Sequence, residues 1–165
     1  MKLEGSCHCK AVKFSVQSLH PYPYMYCYCS ICRKTAGGGG YAINLNGDYS
    51  TLKIEGKDNI TVYQAYLNDK DAKEDKKSPA ERSFCSKCGS SLWVWDPRWP
   101  EQVHLFASAV DTDLPKPPEK THIMLDYKAG WVDVHKGSDD MEHPEYPDES
   151  IAGWHKRLGL EDSSD

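Results

Sequence analysis

Seven cysteines in three tight clusters constrain this chain more than any other feature. The clusters are Cys7-His8-Cys9, Cys27-Tyr28-Cys29-Ser30-Ile31-Cys32 and Cys85-Ser86-Lys87-Cys88-Gly89, and no cysteine lies outside them. An odd number excludes complete pairing into disulfides within one chain. Core thiols would be scattered singly among apolar residues, whereas these sit beside Ser, His, Tyr and Lys. Residues i and i+2 of an extended segment share a face, so Cys7 and Cys9 can aim both sulfurs at one point, as can Cys27 and Cys29. The C-x2-C-G run suits a tight turn whose glycine takes a positive φ, the usual knuckle of a zinc site. Thiolates select zinc or iron–sulfur clusters, and zinc is the expectation here.

Seven ligands divide as four plus three: a closed structural site, and a three-ligand site with one position open. Spacing leaves two partitions standing. Either Cys29, Cys32, Cys85 and Cys88 share one ion, or Cys7, Cys9, Cys85 and Cys88 do, leaving Cys27, Cys29 and Cys32 as a compact local set. The 165 residues fit one domain, with 39% hydrophobic and 27% charged residues. So lean a core gives a bound metal more weight in stability. A formal net charge of -5 argues against nucleic acid held by a basic surface and against docking on an anionic membrane. Met1-Lys2-Leu3-Glu4-Gly5-Ser6 carries no apolar stretch, and no window approaches the roughly 20 apolar residues of a membrane span. The expected location is cytoplasmic, where thiols stay reduced.

Short strands dominate the rest. Alternation puts Val12, Phe14 and Val16 on one face. Tyr41–Leu45 and Thr51–Ile54 read as a pair turned at Asn46-Gly47-Asp48. Ile60–Leu67, Ser91–Trp95, Val103–Val110, His122–Leu125 and Trp131–Val134 carry β-branched and aromatic residues between turn formers. The hydrophilic run Asn68–Pro79 reads as a solvated hairpin loop. Lys116-Pro117-Pro118 reads as an extended connector. From Lys136 the chain turns acidic, with a short helix over Ser150–Leu158 packing through Trp154, and loose final residues.

Three stretches together resemble one family: Gly5-Ser6-Cys7-His8-Cys9, Cys27-x-Cys29-Ser30-Ile31-Cys32-Arg33-Lys34 and Phe84-Cys85-x2-Cys88-Gly89, followed by His122-Ile123. The chain resembles the glutathione-dependent formaldehyde-activating enzyme family, which also includes centromere protein V, over roughly residues 2 to 134. The resemblance implies a mainly β fold of small antiparallel coiled sheets, tent-like and stapled by zinc. It implies a domain over residues 1–135 with residues 136–165 as an acidic extension. It favours the second partition: Cys7, Cys9, Cys85 and Cys88 for structural zinc, and Cys27, Cys29 and Cys32 for a second, catalytic zinc that is partly occupied. The activity implied is the reversible condensation of formaldehyde with glutathione to S-hydroxymethylglutathione, a carbon–sulfur lyase reaction. Lys10 stands where family members usually have glycine, and Tyr28 where histidine is common.

Three thiolates on Zn2+ leave a net charge of about -1, which suits holding a further thiolate better than ionising water. The expected partner is a small-molecule thiol such as glutathione, fixed beside an aldehyde. Arg33, Lys34 or Lys87 are candidates to anchor its carboxylates, and backbone N–H groups of Gly37–Gly40 to cradle one. The tyrosines Tyr22, Tyr24, Tyr26 and Tyr28 read as packing, as do Trp93, Trp95, Trp99 and Trp131. His8 should point away from its neighbours' metal, and His122 should make a structural hydrogen bond. No general acid or base stands out; Asp126 and Asp133 are candidates to support a ligand without a pattern that favours them. The rival reading is a zinc-stabilised binding module without catalysis.

Overall fold

The computed structural model describes residues 1–67 and 76–161. The chain is mainly β and divides into two compact units. One is built from Met1, Ser18–Asn46 and Leu114–Asp165, the other from Lys2–Gln17 and Gly47–Asp113. Each holds one group of cysteines.

The second unit starts with β1 (Lys2–Ser6) and β2 (Lys13–Gln17), an antiparallel pair in which Gly5 faces Phe14. The short β5 (Lys53–Glu55) adds to the free side of β2. The alternation read in the sequence is kept: Val12, Phe14 and Val16 are buried while Lys13 and Gln17 are exposed. Next comes an antiparallel meander of β6 (Ile60–Leu67), β7 (Lys76–Cys85), β8 (Ser91–Trp95) and β9 (Gln102–Phe106). The Trp93 and Phe14 rings meet edge to face at 5.4 Å, which joins the two sheets of this unit.

In the first unit, β3 (Tyr24–Cys27) pairs antiparallel with β4 (Ala42–Asp48), placing Cys27 opposite Ala42. On its other side β3 runs parallel to β10 (Lys120–Ile123), with His122 opposite Tyr26 and Ile123 opposite Cys27. The two-residue β11 (Met141–Glu142) runs parallel to β10. These parallel pairings within a mostly antiparallel fold bring the C-terminal segment beside β3. The helix α2 (Ile151–Arg157) closes the unit. Ser150 caps it by accepting from the Gly153 N–H at 3.0 Å, and the buried Trp154 donates its indole N–H to Glu119 at 2.7 Å.

Several sequence expectations need correction. Asn46-Gly47-Asp48 is not a hairpin turn: β4 runs through it, and Asp48 instead caps the 3-10 turn Tyr49–Thr51 by accepting from the Ser50 N–H at 2.9 Å. The strand that follows pairs with β2 rather than β4. Trp131–Val134 is not a strand, because the Val132 N–H is committed to a turn with the Ala129 carbonyl at 3.0 Å. Trp131 is 66% exposed and Trp99 43%, so neither is core. The loop expected over Asn68–Pro79 ends by Lys76, where β7 begins, and residues 68–75 lie outside the described residues, as do 162–165. Among the described residues no helix is long and apolar enough to cross a membrane.

Candidate metal centres

The sulfurs fall into two groups, Cys7, Cys9, Cys85 and Cys88, and Cys27, Cys29 and Cys32, each with its atoms within 4.8 Å of one another. Of the two partitions that spacing allows, the structure brings together the second.

Two chain turns build the four-cysteine group. At the end of β1, the Cys7 N–H donates to the Val12 carbonyl and the Lys10 N–H to the Cys7 carbonyl. Lys10 closes that turn with a left-handed φ of 61°, which explains why glycine suits its position. At the end of β7, the Gly89 N–H donates to the Cys85 carbonyl at 2.8 Å, and Gly89 has a φ of 73°, the positive value expected from C-x2-C-G. The Val12 N–H points at Cys7 Sγ at 3.2 Å. Cys7 and Cys85 are fully buried, whereas Cys9 and Cys88 are exposed. His8 is exposed, and its backbone N–H donates to Ser90 Oγ at 3.1 Å.

The donor set suits one soft cation. Cys7 and Cys9 sulfurs are 3.6 Å apart, and Cys9 and Cys85 sulfurs 3.8 Å apart. Tetrahedral coordination at the usual Zn–S length of about 2.3 Å puts sulfurs about 3.8 Å from one another. A hydrogen bond from the Ser90 hydroxyl, followed by backbone donors, lowers the Cys88 thiol to about 5. One sulfur of this group is thus ready to ionise at neutral pH.

The three-cysteine group sits where β3 gives way to α1 (Ser30–Ala36). Cys27 ends the strand. Cys29 keeps an extended backbone and caps the helix, its sulfur accepting from the Cys32 N–H at 3.3 Å and its carbonyl from the Arg33 N–H at 3.0 Å. Cys32 therefore lies one helical turn beyond Cys29, and both sulfurs face one region together with Cys27. The hydrogen bond between Cys27 and Cys29 lowers Cys29 and raises Cys27. Crowded thiols support one anion and resist the next, so all three ionise together only around a cation. The residues present fit a thiophilic metal ion.

The helix ends at the glycine run. Gly37 donates to the Arg33 carbonyl and Gly40 to the Gly37 carbonyl at 3.0 Å, so these two N–H groups are spent within the turn. Gly40 has a φ of 97°, and a Cβ there would lie 2.3 Å from Val132 Cγ2. Gly39 has open space instead. Gly40→Ala is expected to lower stability by about 2–3 kcal/mol through backbone strain and overpacking, and Gly39→Ala to be near neutral, as read by urea denaturation.

Arg33 follows the cysteines on α1, and its Nε is buried without a hydrogen-bond partner among the described residues. Lys34 and Lys87 are exposed, the latter in the four-cysteine turn. Tyr41 packs on Tyr26 and on Tyr28, each with ring centroids 5.2 Å apart. Tyr24 and Tyr28 are buried, in line with the packing role read for the tyrosines.

One constellation escaped the sequence. The Tyr28 hydroxyl lies 2.9 Å from His122 Nδ1, and His122 Nε2 lies 3.6 Å from the Asp140 carboxylate. His122 thus makes the structural hydrogen bond expected of it, but the carboxylate facing it is Asp140, not Asp126 or Asp133. Burial pushes the His122 pKa down against the opposing pull of Asp140. Asp140 is itself below the usual carboxylate range: burial opposes this, but the N–H groups of Gly137 and Lys120 and the Lys120 ammonium outweigh it.

The sequence model of the family described as "Glutathione-dependent formaldehyde-activating enzyme" matches residues 2–126. A relative from Halomonas elongata, named "Putative glutathione-dependent formaldehyde-activating enzyme", is 59% identical over 162 residues, which is 98% of this chain and 99% of the relative. A Rhodobacter sphaeroides protein of known crystal structure is similar in fold, with a TM-score of 0.52 and 27% identity, over 68% of this chain and 91% of that one.

Proposed function

This chain belongs to the glutathione-dependent formaldehyde-activating enzyme family, and from that premise we propose that Cys27, Cys29 and Cys32 form the reacting centre of a zinc-dependent carbon–sulfur lyase acting on a thiol–carbonyl adduct. Glutathione with formaldehyde is the pair that the family description names. The observation that carries this reading is the separation of seven sulfurs into a group of four and a group of three. A tetrahedral ion is closed by the first group and left one position short by the second. Cys7, Cys9, Cys85 and Cys88 then hold a structural zinc and Cys27, Cys29 and Cys32 the catalytic one.

Bound to the three cysteines, zinc supplies a Lewis acid that keeps an arriving thiol ionised at neutral pH. The chain's own residues do the rest. Cys29, fixed as the cap of α1, and Cys27, fixed by the β3–β4 ladder, hold their sulfurs in register. Arg33, whose Nε has no hydrogen-bond partner among the described residues, anchors a glutathione carboxylate. The Tyr41 ring packs on Tyr26 and Tyr28 and steadies the backbone of the segment. In the synthetic direction the thiolate sulfur adds to the carbonyl carbon, and a carbon–sulfur bond forms as the C=O π bond opens onto oxygen. That oxygen takes up a proton equivalent to the one the thiol released on ionising. The reverse returns thiol and aldehyde.

The test is zinc per chain in protein purified without chelator, repeated with glutathione. Two zincs, one turning labile or spectroscopically altered with glutathione, is the expected result. One firmly held zinc that is indifferent to thiols overturns the reading.

A further inference from the structure

We infer that the buried chain Tyr28–His122–Asp140 is a positioning device for the three-cysteine group, acting through the backbone between Cys27 and Cys29. The inference rests on the reading of that group as a metal centre. Tyr28 is the one residue between two of its sulfurs, and it is held at both ends. Its backbone N–H donates to the Ile123 carbonyl at 3.1 Å, and its hydroxyl lies 2.9 Å from His122 Nδ1. Tyr28 and His122 are each 1% exposed. Burial removes water as a substitute partner, so losing the Tyr28 hydroxyl leaves His122 Nδ1 unpaired. Nε2, which makes no hydrogen bond among the described residues, meets the Asp140 carboxylate as a charge at 3.6 Å.

The chain has one polarity. The Asp140 carboxylate is an acceptor only, and it is anchored by the N–H groups of Gly137 and Lys120 at 2.8 Å each and by the Lys120 ammonium at 3.4 Å. Facing His122 Nε2 at 3.6 Å, it favours the tautomer with its proton on Nε2. Nδ1 is then a bare acceptor, and the Tyr28 hydroxyl donates to it. Histidine at position 28 would offer a differently placed donor, so His122 and Asp140 fit this chain's tyrosine in particular. Tyr28 cannot turn without breaking this bond. Its backbone torsions set where the sulfurs on either side aim, so the hydroxyl's anchor reaches the metal ligands without touching them. Positioning contacts of this kind matter because a ligand set tolerates only small errors of aim.

The experiment is a cobalt(II) titration of the whole chain, read by the sulfur-to-cobalt charge-transfer absorbance, in wild type, Tyr28→Phe, Asp140→Asn and the double variant. Nitrogen-15 shifts of His122 are recorded on the same samples. Wild type is expected to take two cobalt ions. Each single variant should keep the four-cysteine affinity and lose about tenfold at the three-cysteine group. The double variant should lose no more, since both changes cut one chain. In Asp140→Asn, His122 should move from one tautomer to a mixture. Wild-type affinity at the three cysteines in either single variant, or losses that multiply in the double variant, overturns the inference while leaving the metal reading intact. A wild type that binds one cobalt only overturns both. Should Asp140→Asn fail to fold, seen as loss of the four-cysteine absorbance, Tyr28→Phe decides alone, since it removes a single oxygen.

Discussion

Cys88→Ser is expected to leave the chain unfolded at 25 °C even with zinc present. The four-cysteine group ties the end of β1 to the turn after β7, and Cys9 and Cys85 stand 76 residues apart in sequence. Closing so long a loop is costly to the chain, and a multivalent clip recovers that cost in one place. Structural zinc contributes on the order of 10–16 kcal/mol of apparent binding free energy, while whole domains are stable by only about 5–15 kcal/mol. Serine keeps nearly the size of cysteine but offers no soft thiolate. It also leaves Cys7 and Cys85, both fully buried, with crowded sulfurs and no full donor set. Far-UV circular dichroism and thermal melting read the outcome, with zinc content measured alongside. A Cys88→Ser chain that melts like wild type would show that no ion at this group supports the fold.

What the sequence disclosed and what it hid follow from the range of the forces involved. Ile60–Leu67 and Ser91–Trp95 are strands over the limits read from composition, because β-branched and aromatic runs between turn formers specify a strand locally. The helix over Ile151–Arg157 was legible through the helical spacing of Ile151 and Trp154. β1 and β7 were not. Lys2–Ser6 and Lys76–Cys85 are rich in charged and small residues, and what makes them strands is the partner across the ladder. α1 does carry a local signal: Arg33, Lys34 and Ala36 are good helix formers, and the glycine run marks their end. The grouping of the cysteines was half legible. Spacing showed that they cluster, but which clusters meet is a matter of topology. The link from Tyr28 through His122 to Asp140 spans 94 residues on one side, and no local pattern could announce it.

Cys32→Ser is expected to abolish turnover and keep the fold. Cys32 belongs to the first turn of α1 and is 5% exposed. The helix cap does not depend on its side chain, because the backbone N–H of residue 32 is the donor to Cys29 Sγ. A serine there keeps that donor and adds a hydroxyl in place of a thiol, a change of about 1–3 kcal/mol for a buried polar group. The loss at the three-cysteine group is of another order. Two thiolates and a hydroxyl no longer make a soft three-donor set, and an arriving thiol meets no ion to keep it ionised. Formation of the glutathione–formaldehyde adduct should fall to the uncatalysed rate, while the four-cysteine group keeps its metal. The three possible results separate cleanly. A folded, inactive chain with one zinc supports the assignment. A chain that unfolds moves Cys32 to the set that holds the fold together. A folded chain with wild-type turnover removes Cys27, Cys29 and Cys32 from the chemistry, and the reaction would then have to be sought at other residues.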